Sequence, residues 1–103
     1  MIEVKFTEKI TEKTIKRRLD VVGHADGNDH TAICSAASMM MQSLALFLTK
    51  RYPYEMDAHM DEGRSFVECE NYIGDLTASA VWTMTEEGYH SLYNRYPKDI
   101  LIL

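Results

Sequence analysis

The chain has 103 residues, of which 46% are hydrophobic and 26% charged, and a formal net charge of −5. That length supports one domain, residues 1 to 103, around a single hydrophobic core, and that composition excludes a disordered chain. The negative balance gives no global attraction for a phosphate backbone, so direct nucleic-acid binding is not expected.

In chain order, Ile2, Val4 and Phe6 alternate with Glu3, Lys5 and Thr7, the period-2 pattern of a strand. Such a start lacks the continuous apolar core of a signal peptide, which points to a cytoplasmic address. Ile15, Arg17, Leu19 and Val21 share a parity with Gly23, so two antiparallel strands joined through Lys9 to Thr14 form a hairpin. Lys13, Lys16, Arg17 and Arg18 make one basic run. It reads as a solvated strand face, with docking of an anionic partner as the lesser alternative.

Polar residues from Ala25 to His30 separate this strand from a helical pattern, and are expected to form a mobile loop. Thr31 or Asp29 can cap the helix, whose apolar stripe runs Ile33, Ala36, Ala37, Met40, Leu44, Phe47, Leu48 until Tyr52-Pro53 stops it. The expected span is Ala32 to Arg51. Its apolar run, Ala36 to Leu48, is interrupted by Ser38, Gln42 and Ser43 and is shorter than the roughly 20 residues that cross a bilayer, so no membrane partner is expected. Met39, Met41 and Leu46 lie off the stripe, which predicts a second covered face, as in a homodimer.

Tyr54, Met56, Ala58 and Met60 then alternate up to a turn at Glu62-Gly63, followed by Ser65, Val67 and Cys69, the pattern of a second hairpin. From about Asp75 to Tyr96 the period is again helical, with Leu76, Val81, Met84, Leu92 and Tyr96 on the expected stripe, and Ile100 to Leu103 reads as a last strand. The order ββαββαβ predicts an α+β fold, a largely antiparallel sheet packed with two long helices.

The segment from Gly23 to Ser38 carries the candidate chemistry. His24 follows a glycine at a strand end, and Cys34 falls in the first turn of the expected helix, where unpaired N–H groups and the macrodipole favour thiolate over thiol. A nucleophilic cysteine needs that environment and a base within reach. Each residue also has a plain structural reading, Cys34 as a small hydrophobe in a close-packed helix start and His24 as a hydrogen-bonded turn residue. Strand parity points His24 away from Leu19 and Val21 unless Gly23 bends the chain, and His30 competes as the base. His24, Asp26, Asp29, His30 and Cys34 match no standard zinc spacing, so neither a metal nor another cofactor is expected. Cys69, sharing a face with Val67, reads as a core thiol, with a resolving cysteine as the alternative. The two cysteines lack CxxC spacing and fit a reducing compartment.

Gly23-His24-Ala25, the downstream Cys34-Ser35-Ala36-Ala37-Ser38 and the closing Tyr96-Pro97-Lys98-Asp99-Ile100 resemble the ribosomal-processing cysteine protease family Prp, also called YsxB, over nearly the whole chain. The resemblance implies a homodimeric endopeptidase without cofactor that removes the N-terminal extension of a large-subunit ribosomal protein. It implies His24 as base, Cys34 as nucleophile and Ser38 as a supporting serine. Asp29 and His30 would support or contact substrate, since Thr31 stands three before the cysteine where the family has an acidic residue. A phage-type member acting on a capsid or scaffold protein is an alternative, as is a non-catalytic homodimeric module of the same fold.

Overall fold

Two hairpins, two long helices and a short final strand make up the computed structural model, which describes residues 1–103. The elements are β1 (Ile2–Ile10), β2 (Thr14–Gly23), α1 (His30–Arg51), β3 (Met56–Asp61), β4 (Arg64–Tyr72), α2 (Leu76–Arg95) and β5 (Ile100–Ile102). They form one α+β domain whose five-stranded sheet has the order β3-β4-β2-β1-β5. All pairs are antiparallel except β1 with β5.

Strand alternation sorts the two faces of this sheet. Ile2, Val4, Ile15, Leu19, Val67 and Cys69 are buried against the helices, which return Ile33, Leu44 and Leu48 from α1 and Trp82 and Tyr89 from α2. A fully buried Leu or Ile in such a core contributes roughly 2 kcal/mol through area removed from water. On the opposite face Arg18 donates to Asp20 at 2.9 Å and to Glu68 at 3.1 Å, with its guanidinium 4.0 Å above the Phe66 ring. Burial against this packing pushes the Cys69 thiol above its usual range, in keeping with a core thiol.

Several expectations from the pattern need correction. Helix α1 begins two residues early, because the chain turns at Gly27 and the Asp29 carbonyl accepts the Ile33 N–H at 3.0 Å. Met41 is 2% exposed and belongs to the core, not to a second face. Its 22-residue span is long and apolar enough to cross a membrane, yet its stripe packs on the sheet. Ala25 is also core, so the segment expected to be a mobile loop is anchored at its first residue. Arg17, placed with a solvated basic run, shares the parity of Ile15 and Leu19. The sheet therefore directs it under α2, where it lines a cavity of about 70 Å³ with Phe6 and Trp82 and reaches Glu8 at 4.0 Å.

On α2 the stripe is Ala78, Trp82, Thr85, Tyr89 and Leu92, whereas Leu76 and Met84 are exposed. Small and polar residues lie under this helix because the large Trp82 and Tyr89 fill the space beside them, a volume constraint that a hydrophobicity pattern does not contain. Tyr54 precedes β3 and is almost fully exposed. The first hairpin turn is shorter than expected, with Thr11 Oγ1 accepting the Thr14 N–H at 3.0 Å.

Candidate active site

Three segments distant in sequence meet at one cleft of about 410 Å³. The end of β2 supplies His24, α1 supplies Cys34 and Ser38, and the β3–β4 turn supplies Asp61 to Arg64. Backbone conformation explains the first contribution. Gly23 has φ +103°, and a side chain there would run into the Met1 carbonyl, so only glycine fits without displacement. This break in the strand cancels the alternation that would send His24 to the other face. The imidazole is exposed and shares the cleft lining with Val21 and Ile2.

The turn closes on this bend by two contacts. The Gly23 N–H donates to the Gly63 carbonyl at 2.8 Å, and the bare Cα of Gly63, at φ +77°, lies against the His24 ring. The Met1 amino group donates to the His24 carbonyl at 2.5 Å and stands 3.8 Å from Asp26. These contacts hold the backbone of His24 from both sides.

On α1, Cys34 and Ser38 are one turn apart and Gln42 is one turn further, so the three side chains occupy one face and all line the cleft. Cys34 is half-buried and free. It is the fifth residue of the helix rather than a member of its first turn, as the expected start at Ala32 would have made it. Its own N–H is consequently engaged in the i→i−4 ladder, and the unpaired N–H groups of the terminus lie a turn before it. An oxyanion near Cys34 is therefore better served by side-chain donors, of which Ser38 and Gln42 are at hand.

The remaining expected residues fall outside the cleft. Asp29 is the N-cap of α1 but makes no side-chain capping bond. His30 Nδ1 lies 2.8 Å from the Gly27 carbonyl and its Nε2 lies 3.2 Å from Thr31 Oγ1, so the ring is occupied at the helix start. The structure thus brings together His24, Cys34 and Ser38 and leaves Asp29 and His30 apart. No three His, Cys, Asp or Glu side chains converge closely enough to share a metal ion.

Two contributors were not singled out in the sequence. Gln42 carries a usable signal, since it repeats the four-residue spacing from Cys34 through Ser38. Gly63 carries none, because its approach to His24 depends on β2 and β4 being neighbours.

No protein-family model matches the sequence, and no curated protein matches it closely. Solved structures do. The S. aureus ribosomal processing protease Prp, solved with a substrate peptide, superposes with a TM-score of 0.75 at 16% identity, over 100% of this chain and 98% of that one. Its complex with a covalently linked product peptide gives 0.73 at 18% identity, covering 99% and 97%. SMU.848 from Streptococcus mutans gives 0.72 at 17% identity, covering 99% and 95%. The chain has the fold of these proteins from end to end.

Proposed function

We propose that this chain is a cysteine endopeptidase of the Prp type, acting on a protein substrate with an N-terminal extension. The observation that carries the reading is the meeting of His24, Cys34 and Ser38 in one cleft, in a fold shared with a protease that binds peptide. Cys34 and His24 act as a dyad. The imidazole takes the thiol proton, and the Cys34 Sγ attacks the scissile carbonyl carbon, moving an electron pair onto its oxygen. The imidazolium then gives its proton to the departing amide nitrogen as the C–N bond breaks, leaving a thioester on Cys34. Water, losing a proton to the neutral imidazole, adds to the thioester, and the thiolate leaves with the proton returned. Ser38 and Gln42 donate hydrogen bonds to the oxyanion or to the substrate backbone.

In this reading the protein works as a homodimer in the cytoplasm on a large-subunit ribosomal protein, a substrate class suggested by structural neighbours that are ribosomal processing proteases. Asp29 and His30 have no part in proton transfer in this reading. The test is cleavage of an extended ribosomal protein by the unmodified chain and by Cys34→Ser. Thiol and hydroxyl differ little in volume, so the variant should fold and lose turnover. Equal turnover by the two proteins would overturn the reading. Cleavage of a phage capsid or scaffold precursor in place of the ribosomal protein would change the substrate and keep the mechanism. Cleavage of neither would favour a non-catalytic module of the same fold.

A further inference from the structure

The β3–β4 turn lies against the candidate base, and its geometry is more restrictive than a hairpin needs. A two-residue turn at Glu62-Gly63 favours glycine because its φ is positive, and Gly63 sits at +77°. That requirement is conformational and would be met by asparagine as well. A second requirement is steric and does not concern the turn. A Cβ built on Gly63 would stand 2.7 Å from His24 Nε2, 3.3 Å from Cε1 and 3.5 Å from Cδ2, so three atoms of the imidazole lie over the place where a side chain would project.

We infer that Gly63 is a positioning residue for His24, its missing side chain forming the seat on which the imidazole rests in the cleft. The inference rests on the assignment of His24 as base. The same turn holds the backbone beside the ring, because the Gly63 carbonyl accepts the Gly23 N–H at 2.8 Å. One residue thus bears on both the chain before His24 and the Nε2 end of its ring. An added methyl would need about 3.5 Å or more from the ring atoms, which moves Nε2 by roughly 1 Å. A displacement of that size in a reacting group costs on the order of 100-fold in rate.

Gly27 provides a matched control. It has φ +95°, so alanine is strained there in the same way, yet a Cβ on Gly27 meets nothing within 4 Å. Positive-φ strain should therefore act in both Gly27→Ala and Gly63→Ala, and displacement of His24 only in the second.

The experiment combines nuclear magnetic resonance with alkylation. In the unmodified protein, cross-relaxation is expected between the Gly63 Hα protons and the Hε1 and Hδ2 protons of His24, a measurement that needs no variant to fold. Gly63→Ala is expected to shift the His24 ring resonances and to change the pH profile of Cys34 alkylation by iodoacetamide. With an extended ribosomal protein as substrate, kcat should fall about 100-fold with little change in KM. Gly27→Ala should leave the His24 resonances and the alkylation profile as they are. Absence of the Gly63–His24 cross-relaxation, or His24 resonances that move equally in both variants, would overturn the inference. Failure of the protease reading shows separately, as an unmodified chain that cleaves no substrate while the His24 resonances still respond to Gly63→Ala.

Discussion

The hydroxyl of Tyr89 on α2 donates to the backbone carbonyl of Ala37 on α1 at 2.7 Å, in a site closed to solvent. Ala37 lies between Cys34 and Ser38, so this bond ties the helix that carries the candidate nucleophile to the helix behind it. The ring also meets Phe6 of β1 edge-on, with centroids 6.0 Å apart. Tyr89→Phe keeps the aromatic packing and loses the bond, and should cost about 1 kcal/mol in urea denaturation.

The same hydroxyl makes a pH prediction with a definite sign. Burial holds Tyr89 protonated well above its ordinary range, so near pH 10 the unfolded chain loses this proton while the folded chain keeps it. Its contribution to stability is full below about pH 10 and declines as pH rises beyond it. Urea titrations from pH 8 to 11 should show stability falling more steeply in the unmodified protein than in Tyr89→Phe. Parallel curves would mean that the hydroxyl titrates alike in both states.

Asp75 caps α2, accepting the Ala78 N–H at 3.0 Å and the Tyr52 hydroxyl at 2.7 Å. Its carboxyl is held below the usual range, chiefly by the Ala78 bond and next by Tyr52. The stabilisation is therefore present above the unfolded value near 4 and lost as pH falls through the lower folded value. Asp75→Ala should destabilise by about 1 kcal/mol at pH 7. The gap between variant and parent should narrow towards pH 2, which acid-dependent thermal melts would detect.

The two histidines near Cys34 occupy different settings. His24 lines the cleft with Cys34, whereas the His30 ring is engaged with Gly27 and Thr31. His24→Ala should lower the single-turnover cleavage rate by about 100-fold or more, as expected for a lost general base. His30→Ala should leave that rate within about threefold, since no step of the proposed mechanism passes through it. The reverse order would show that the helix start rearranges to bring His30 in.

Met39 and Leu46 remain 62% and 57% exposed on α1, on the side away from the core. A partner subunit covering them would remove this apolar surface from water. Sedimentation at micromolar concentration should give a mass near twice 11.9 kDa, reduced to the single-chain mass in the double variant Met39→Glu, Leu46→Glu. A single-chain mass for the unmodified protein would exclude this interface.

Local rules made much of the architecture legible. Period-2 alternation in Ile2 to Phe6, Ile15 to Val21 and Ser65 to Cys69 is set by the pleat of a strand, and the stop at Tyr52-Pro53 by the proline ring. These constraints act between near neighbours, so residue order determines them, and the seven elements were all foreseeable. His24, Cys34 and Ser38 were also readable as candidates from their short motifs. Burial within elements was less legible. Met41 and Arg17 face the core, and Leu76 and Met84 face solvent, because helix rotation and strand parity are settled by which side chains fill the space between layers. Tertiary structure alone decided the closure of the β3–β4 turn on Gly23 and the seat that Gly63 makes for His24. Each depends on β4 pairing with β2 and so carrying its turn to the strand end, a contact between segments far apart along the chain, whose approach no local periodicity records.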